Sequence, residues 1–509
     1  MKMTKRISVY KTLIFLILPF VLKESAFAQG KNSIFFMGYH DAPTSNEARM
    51  VFTDTSYTLS LEQRDIPFSD TKGNISDENG NILMSSNGIF IADATGDTML
   101  DGGGLNPDLF TDDWKQYGLP MPYANLFLPM PDDSNKYVLF HQVADYNAPV
   151  GLDALEIYYS NVDLSMNGGL GQVISKNNIA LSGVFSWGIA ACKHGNGRDW
   201  WIVAMSDIAT GMHVFLLTPD TLQYMGLQTF PVTGFPYGFA GQPVFSPDGE
   251  KFAFGGSYGI TGMNYLSCVS LFDFDRCSGI FSLDTVIDYS DNYLSTATTF
   301  SPSSKYLYFA SVKYIYQYDT DSFGLIPYQL VAVNDTFLSA PPVFYTDFNL
   351  MYLAANGKIY ISSGSSVLDL HEMDYPDSAG VLCNVNLHNI HTNCFFRGVP
   401  NHPNYYLGRL VGSVCDSLTS VSEIGHDFKF KILPNPNNGN FKIMYLLPQN
   451  TSGKLEIFDI NGRAVYSQNL PQWSTLQFIS LPKISNGVYA VKIISDNFSV
   501  TKKLIMYHE

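Results

Sequence analysis

Charged side chains are scarce in this sequence, and basic ones are the scarcest. Only 15% of the 509 residues are charged, and 30 Lys and Arg stand against 46 Asp and Glu, which leaves a formal net charge of −16. Disorder is excluded, because it requires high charge and low hydrophobicity, whereas 14% of this chain is aromatic. The acidic balance argues against nucleic acid as a partner. Strong helix formers are also few, while Gly, Asn, Ser, Thr, Tyr and Phe abound, which predicts an all-β chain.

Long apolar runs are lacking after the N-terminus. The run at residues 12–22 follows a basic stretch and precedes the small-x-small string Ala26-Phe27-Ala28. A membrane anchor is the alternative, but a span needs about 20 apolar residues, more than this run offers. The pattern therefore predicts a secretory signal peptide over residues 1–28, with Gln29 as the mature N-terminus. No later run predicts a transmembrane segment in the mature chain.

Metal-binding cysteine spacing is absent too. No C-x-x-C pair occurs among the six cysteines, which lie at positions 192, 268, 277, 383, 394 and 415. Export permits disulfides, and several connectivities are open. A strand starting at Cys268 would carry Cys277 out of bridging distance, since a strand rises about 3.3 Å per residue. Cys383 and Cys394 lie in a polar region, interpreted as a loop, and could meet. We predict structural bridges or buried free thiols.

What is present is a repeat. A turn followed by an aromatic-rich strand recurs about every 55 residues, most clearly at Phe245-Ser246-Pro247-Asp248-Gly249 and Phe300-Ser301-Pro302. Weaker copies begin at Asp77, Pro131, Gly195, Phe344 and Pro400. This period is typical of propeller blades, each a four-stranded sheet. The repeat predicts a seven-bladed β-propeller over residues 29–413, with another large all-β fold as the alternative.

These segments also resemble known proteins. The string from Phe245 to Phe254 is similar to the blade motif of WD-repeat-like and YVTN-like propellers. Residues 77–88, 194–201, 271–277 and 403–409 resemble a set of secreted Bacteroidetes propellers. The resemblance implies a fold and a secretion route, and it implies no activity.

The pattern changes near the C-terminus. Residues 414–426 are small and polar, which predicts a linker. Residues 427–509 alternate short apolar stretches with Asn-Gly turns, which predicts a small immunoglobulin-like β-sandwich. Several spaced motifs in this module closely resemble the type A C-terminal sorting domain of the type IX secretion system, although an ordinary immunoglobulin-like adhesion module is the alternative. The matching positions are Pro434, Asn435, Pro436, Gly439, Asp459, Gly462, Gly487, Tyr489, Lys502 and Lys503.

That resemblance implies a destination and partners. It implies export across the outer membrane of a Bacteroidetes bacterium after a first step through the Sec signal peptide. The partners would be the type IX translocon and its sortase-like processing machinery. The expected location is the outer-membrane surface or the extracellular medium.

Several strings could carry chemistry, and each has a simpler explanation. Gly255–Gly259 fits G-x-S-x-G, but no helical spacing follows it as a nucleophile elbow requires, so we predict a blade turn. His388 and His391 lack the Glu of a zinc protease helix and are predicted as loop histidines. Asp273 to Asp275 and Asp319 to Asp321 lack the closing Glu of a calcium loop and are predicted as hairpin turns.

The tandem Trp200-Trp201 places one indole on each face of a strand, so at least one should be core and the other could stack on a sugar. No catalytic residue, metal ligand or cofactor is predicted, although calcium remains an option. Residues 29–426 hold 16 basic and 40 acidic side chains, or −24, which favours cationic ligands or calcium.

We therefore predict a secreted, non-enzymatic binding or interaction protein whose ligand, a glycan or a protein, the sequence does not identify. The alternative is an extracellular glycan lyase or hydrolase with its site at the propeller mouth, since residues from separate blades can converge there. A structural matrix protein is a third hypothesis.

Overall fold

The structure is a computed structural model. It describes residues 30–39, 47–149, 151–207, 210–231, 242–261, 264–289, 291–322, 328–339, 344–416, 431–445, 452–460, 462–471, 476–481, 483–495 and 498–507. The chain divides into two compact units, Met1–Asp416 and Ser417–Glu509. No helix among these residues is long and apolar enough to cross a membrane. The predicted cleavage residues Ala26, Ala28 and Gln29 lie outside the described residues.

The first unit is all-β, as the composition predicts, and we number its groups of antiparallel strands as sheets 1 to 7. Sheet 1 contains β1 (Ile34–Met37), β2 (Glu47–Phe52) and β3 (Tyr57–Glu62). Sheet 2 contains β4 (Gly73–Ser76), β5 (Ile82–Ser86), β6 (Phe90–Ala92) and β7 (Thr98–Gly103). A six-residue helix, α1 (Leu109–Trp114), follows and is capped by the Asp108 carboxylate.

One long strand is shared by the next two sheets. Sheet 3 contains β8 (Asn125–Pro129), β9 (Lys136–His141), β10 (Ala154–Asp163) and the first part of β11 (Gln172–Lys193). Sheet 4 contains the last part of β11 with β12 (Trp200–Ser206), β13 (Gly211–Leu217) and β14 (Leu222–Thr229). β11 pairs with β10 up to Phe185 and with β12 from Phe185 onward, so the chain passes from sheet 3 to sheet 4 without a turn. β11 also pairs in parallel with β7, Gln172 opposite Leu100, so sheets 2, 3 and 4 are parts of one continuous 11-stranded sheet.

Three further four-stranded sheets and one two-stranded pair contain the remaining described strands of the first unit. Sheet 5 contains β15 (Val244–Phe245), β16 (Lys251–Thr261), β17 (Asn264–Asp275) and β18 (Ile280–Asp288). Sheet 6 contains β19 (Ser295–Phe300), β20 (Tyr306–Ser311), β21 (Tyr314–Asp319) and β22 (Gln329–Val333). A two-stranded pair, β23 (Leu338–Ser339) and β24 (Phe344–Tyr345), precedes sheet 7. Sheet 7 contains β25 (Met351–Leu353), β26 (Ile359–Ile361), β27 (Val367–Met373) and β28 (Val385–Phe396).

Each of these sheets packs on the next, and the last packs on the first. Buried apolar clusters join sheets 1 and 2, sheets 2 to 4, sheets 4 and 5, sheets 5 and 6, and sheets 6 and 7. A further cluster joins Tyr352 and Leu370 of sheet 7 to Phe35 and Met50 of sheet 1. The sheets are therefore covered on both faces, which is why their central strands are apolar at successive positions instead of alternating.

The strand β12 illustrates this two-sided burial. Trp200 packs in the cluster of sheets 2 to 4, and Trp201 packs in the cluster of sheets 4 and 5. Trp200 is 0% exposed and Trp201 is 2% exposed, and both indole N–H groups donate to backbone oxygens. Both indoles therefore belong to the core, and neither presents a stacking surface for a sugar.

The repeat locates five turns correctly and misplaces two. In Phe344–Leu353 the turn was expected before the strand. The strand Met351–Leu353 is present as the first strand of sheet 7, but its turn follows it, at Asn356 and Gly357, the latter with φ of +75°. Pro400–Leu407 contains no strand, since Pro400 and Pro403 have no N–H to donate to a ladder. Sheet 1 lacks the repeat motif and was not predicted.

The second unit contains seven short strands in its described residues. One sheet has the order β29 (Lys431–Leu433), β30 (Asn440–Met444), β33 (Leu476–Ser480). The other has the order β32 (Ala464–Leu470), β31 (Gly453–Phe458), β34 (Gly487–Ser495), β35 (Phe498–Met506). Both sheets contribute to one apolar core that includes Ile443, Ile479, Ile457 and Val491. The strand positions agree with those predicted from the apolar stretches.

Candidate functional site

The segment that follows β28 lies across the first strands of several sheets. We call residues 397–416 the closing segment. The Asn401 amide donates to the carbonyl oxygens of Asn125 (3.0 Å) and Ile189 (2.8 Å). The Tyr405 hydroxyl donates to the Phe127 oxygen at 2.9 Å, and the Asn404 amide donates to the Pro247 oxygen at 2.7 Å. One short segment thus satisfies backbone acceptors of sheets 3, 4 and 5.

His402 extends these contacts to sheets 2 and 7. Its Nε2 lies 2.9 Å from the Asn74 carbonyl oxygen and its Nδ1 lies 2.8 Å from the Tyr352 hydroxyl oxygen. A carbonyl can only accept, so Nε2 carries the proton. The Tyr352 hydroxyl lies between Nδ1 of His402 and the Asn32 carbonyl oxygen, which is 3.0 Å away. Burial lowers the pKa of His402 to about 4. The ring is therefore neutral at pH 7 and is held between the first strands of two sheets.

A disulfide fixes the end of the closing segment. Cys277 and Cys415 are bonded, with their Cα atoms 5.4 Å apart. The Arg276 guanidinium donates to the Gly408 oxygen (2.6 Å), and the Leu410 N–H donates to the Gly195 oxygen (2.8 Å). A Cβ at Gly195 would approach the Cys415 sulfur to 2.3 Å, so this turn of sheet 4 requires glycine. Cys415, expected in a linker, is covalently attached to sheet 5.

The remaining cysteines are free and buried. The expected meeting of Cys383 and Cys394 is wrong, because Cys383 ends a short 3-10 helix and Cys394 lies inside β28. Burial raises the pKa of both thiols to about 11 and that of Cys192 and Cys268 to about 12. Thiols of such high pKa are poor nucleophiles at neutral pH.

The predicted blade motif forms the turn that faces the closing segment. The Ser246 hydroxyl donates to the Asp248 carboxylate (2.5 Å), which also accepts from the Glu250 N–H (3.0 Å). Gly249 has φ of +74°, and a Cβ there would lie 2.6 Å from the Leu407 side chain. Glycine is therefore required at this position for two reasons: the left-handed backbone of the turn and the close packing of Leu407 against it. Spacing alone predicts the turn but contains no signal for this tertiary contact.

A cavity of about 280 Å³ lies between the closing segment and the first strands of sheets 4 to 7. We call it the hub cavity. Its lining includes no Asp, Glu, Lys or Arg among the described residues. Residues of the blade motif contribute to it, as do Tyr123, Tyr352, Asn401 and His402. The blade-motif contributors are Phe245, Ser246, Pro247, Phe300 and Pro302.

Most polar groups of the hub cavity are already paired. The Gln242 amide donates to the Met351 oxygen (2.6 Å) and accepts from the Met351 N–H (3.2 Å). Tyr123 is 6% exposed, and its buried hydroxyl has no hydrogen-bond partner among the described residues. Its backbone φ is +56°, which is rare for a bulky side chain and marks local strain. Sequence reasoning missed Tyr123, since no motif surrounds it.

The other candidate strings are structural in the described residues. Gly255–Gly259 lies inside β16, not at a turn, and the Ser257 hydroxyl contacts that of Ser267 at 2.9 Å. His388 and His391 lie in the strand β28, not in a loop, and contact Asp335 (2.9 Å) and Asp369 (2.8 Å) respectively. No group of three or more metal-ligating side chains occurs among the residues described.

The second unit brings its predicted motif residues close to its last strand. The Asn435 amide donates to the Lys503 oxygen and its oxygen accepts from the Ile505 N–H, both at 2.8 Å. Pro434 and Pro436 flank it, and Gly439, with φ of +93°, follows in the same turn region. The first and last strands of this unit are thereby connected.

The remaining motif residues lie in β34, β35 and one turn. Gly487 and Tyr489 pair in register with Met506 and Leu504, and Lys503 and Lys502 pair with Ala490 and Val491. Asp459 accepts from the Arg463 N–H (2.9 Å) and its carbonyl accepts from Gly462 (3.0 Å), which closes the β31–β32 turn. The Tyr489 hydroxyl donates to the Ser485 oxygen at 2.8 Å.

This part of the chain has a recognisable family. Residues 431–507 match the secretion system C-terminal sorting domain. This match shows that the protein is exported through the type IX secretion system, to the cell surface or the extracellular space. It also implies the type IX machinery as a partner. No curated protein matches the chain.

Solved structures are only distantly similar. A functionally unknown protein from Desulfotomaculum acetoxidans is 15% identical with a TM-score of 0.40, covering 72% of this chain and 99% of its own. A protein of unknown function from Bacteroides thetaiotaomicron is 11% identical with a TM-score of 0.31, covering 74% and 86%. A hypothetical selenium-binding protein from Sulfolobus tokodaii is 7% identical with a TM-score of 0.36, covering 68% and 90%. None of these similarities carries an activity to the chain.

Proposed function

We propose that the chain is an extracellular binding protein whose first unit is a seven-bladed β-propeller with its ligand site at the hub. The observation that carries this proposal is the hub cavity, which is built from the first strands of sheets 4 to 7 and from the closing segment. Cyclic packing of the sheets supports the propeller, with sheet 1 as the blade that joins the two ends of the unit. Concave sites of this kind are the usual place for ligands.

The rest of the proposal concerns delivery. Residues 1–28 act as a signal peptide cleaved after Ala28 in a Bacteroidetes bacterium, residues 414–426 include the connection to the delivery module, and residues 427–509 form an immunoglobulin-like sandwich. The translocon recognises the surface around Asn435, Gly487 and Lys503, and the processing machinery then removes the module. This recognition surface is supported by the contacts of Asn435 and Gly487 with the last strand, which contains Lys503.

An array of glycans and peptides probed with the purified secreted protein tests the binding function. We expect retention of a defined subset of ligands that competes with soluble ligand. Ala355→Leu, which adds volume at the hub cavity, should weaken that retention, whereas Tyr375→Phe on the exposed surface should not. Uniform absence of binding would overturn the proposal, and product formation from a bound glycan would favour the lyase or hydrolase alternative.

A further inference from the structure

The second unit has an open groove of about 480 Å³ beside its edge strand β32. We call it the edge groove. It is lined by Val465 of β32 and by residues at and after the end of β33, namely Ser480, Leu481, Lys483 and Ile484. The three apolar side chains are half-buried and pack against the core of the unit. The edge groove is therefore a place where the apolar core of this unit reaches the surface.

A β-bulge explains why Val465 faces the edge groove. Ile457 of β31 pairs with Tyr466, and the next residue of β31 pairs with Ala464. Val465 is therefore the extra residue of the bulge, which re-aims its side chain. Val465 and Tyr466 both pack against the core although they are successive residues. In a regular strand one of the two would point away from the core.

Two residues of the predicted sorting motif hold the wall formed by residues 480–484. The Gly439 oxygen accepts from the Leu481 N–H at 2.6 Å, and the Tyr489 hydroxyl donates to the Ser485 oxygen at 2.8 Å. Gly439 is buried and Tyr489 is 9% exposed, so neither offers much surface to a partner. Their contacts position the edge groove instead.

Two further motif residues hold the opposite wall. Asp459 and Gly462 close the turn that leads into β32, immediately before Val465. Motif positions that are far apart in the sequence thus converge on the two walls of one groove. A motif that encodes recognition through buried and turn residues requires a surface that those residues shape, and the edge groove is such a surface.

The charge at the edge groove is positive. Lys483 is exposed and takes part in neither ion pair found within the described residues of this unit. Among the described residues no Asp or Glu lines the groove. Residues 427–509 hold nine basic and five acidic side chains, a net charge of +4. A partner that combines an apolar side chain with a carboxylate matches both the floor of the groove and its charge.

We propose that the type IX machinery binds the second unit at the edge groove, by inserting an apolar side chain between Val465 and Ile484 and placing a carboxylate beside Lys483. The inference deepens the proposed recognition of this unit by the translocon and rests on it. The edge groove adjoins the surface around Gly487, which follows Ile484 by three residues.

Export of the full-length protein by its own bacterium tests this assignment. Val465→Gln and Ile484→Gln remove apolar surface from the edge groove, and Lys483→Glu reverses its charge. Each substitution should lower the amount of protein outside the cell about tenfold, the change that a loss of about 1.4 kcal/mol in binding produces. The retained protein should accumulate in the periplasm, and immunoblotting of cell fractions measures both amounts.

Two exposed residues of the same unit provide matched controls. Phe478→Gln makes the same kind of apolar-to-polar change at a side chain that is 76% exposed, and Lys442→Glu makes the same charge reversal in β30. Neither should alter export, because neither residue lines the edge groove. Limited proteolysis of the retained protein verifies that the second unit is folded. If the Gln variants unfold, Lys483→Glu, at an exposed side chain, decides the question.

The outcomes separate this inference from the proposed recognition. Wild-type export of Lys483→Glu, or an equal loss of export in Lys483→Glu and Lys442→Glu, would overturn the inference. If deletion of residues 427–509 abolishes export while the groove variants retain it, recognition of the unit stands and the edge groove is wrong. If the deletion leaves export unchanged, recognition and groove both fail.

Discussion

The two units connect their ends by different means. In the second unit, Asn435 pairs with β35 through both atoms of its amide, and one apolar core lies between two sheets. In the first unit, the closing segment reaches five sheets through Asn401, His402 and its neighbours, and a disulfide holds its end. The small unit relies on local strand pairing, whereas the large one relies on a few contacts between residues far apart in sequence.

This difference has consequences for stability. Long-range closure must overcome a larger loss of chain entropy, which a disulfide across 138 residues reduces. The closing segment also depends on a neutral buried histidine, whereas the sequence from 431 to 507 contains neither histidine nor cysteine. Acid and reductant should therefore act on the first unit and leave the second largely unaffected.

The largest expected effect separates the units by function. Deleting residues 427–509 should abolish appearance of the protein outside the cell, because the sorting domain directs export. The truncated chain should accumulate in the periplasm with its first unit resistant to protease. Immunoblotting of cell fractions measures both results.

A reporter exported by the same bacterium to its periplasm, fused to residues 427–509, is the matched control and should appear outside the cell. Wild-type amounts of the truncated chain in the medium would contradict the export assignment.

A core substitution should damage only the first unit. Trp200→Ala removes an indole that is 0% exposed and packs edge-on against Tyr405 of the closing segment. We expect a loss of about 3–5 kcal/mol in the free energy of unfolding of the first unit, from lost burial and the cavity left behind. Urea unfolding followed by the remaining tryptophan fluorescence gives the value.

Phe478→Ala is the control for that experiment. Phe478 lies in β33 of the second unit and is 76% exposed, so its removal should change stability by no more than about 0.5 kcal/mol. Comparable losses in the free energy of unfolding for Trp200→Ala and Phe478→Ala would contradict the burial of β12 on both faces.

Acid should destabilise the first unit selectively. Burial lowers the pKa of His141 to about 3 and those of His371 and His402 to about 4. An unfolded histidine titrates near 6.5, so the unfolded chain binds more protons, and stability falls as pH drops below about 6.5 toward about 4. Each histidine should contribute about 2 kcal/mol to the loss between pH 7 and pH 5.

His402→Gln isolates one of these contributions. The variant should be less stable than wild type at pH 7, but its loss between pH 7 and pH 5 should be about 2 kcal/mol smaller. Urea titrations at the two pH values supply the four free energies required. An identical pH dependence in variant and wild type would show that His402 is not buried as a neutral ring.

The sequence predicts the local structure of both units well, but it does not predict the long-range contacts that connect the ends of either unit. Five turns of the repeat and the strands of the second unit follow from turn chemistry and apolar stretches, which act over a few residues. Sheet 1 was not predicted because its strands lack the turn motif. A strand was wrongly predicted at Pro400–Leu407 because a proline-containing string typical of a turn can also form an irregular segment. Tyr123 and the pairing of Cys277 with Cys415 depend on contacts that no local pattern encodes.

The central claim is that the closing segment joins distant sheets of the first unit, and disulfide mapping tests it most directly. Mass spectrometry of a non-reduced digest, prepared with alkylation of free thiols under denaturing conditions, identifies every bridge. We expect one cross-linked peptide pair joining Cys277 to Cys415, with Cys192, Cys268, Cys383 and Cys394 alkylated. A free Cys415, or a bridge between Cys383 and Cys394, would contradict the account.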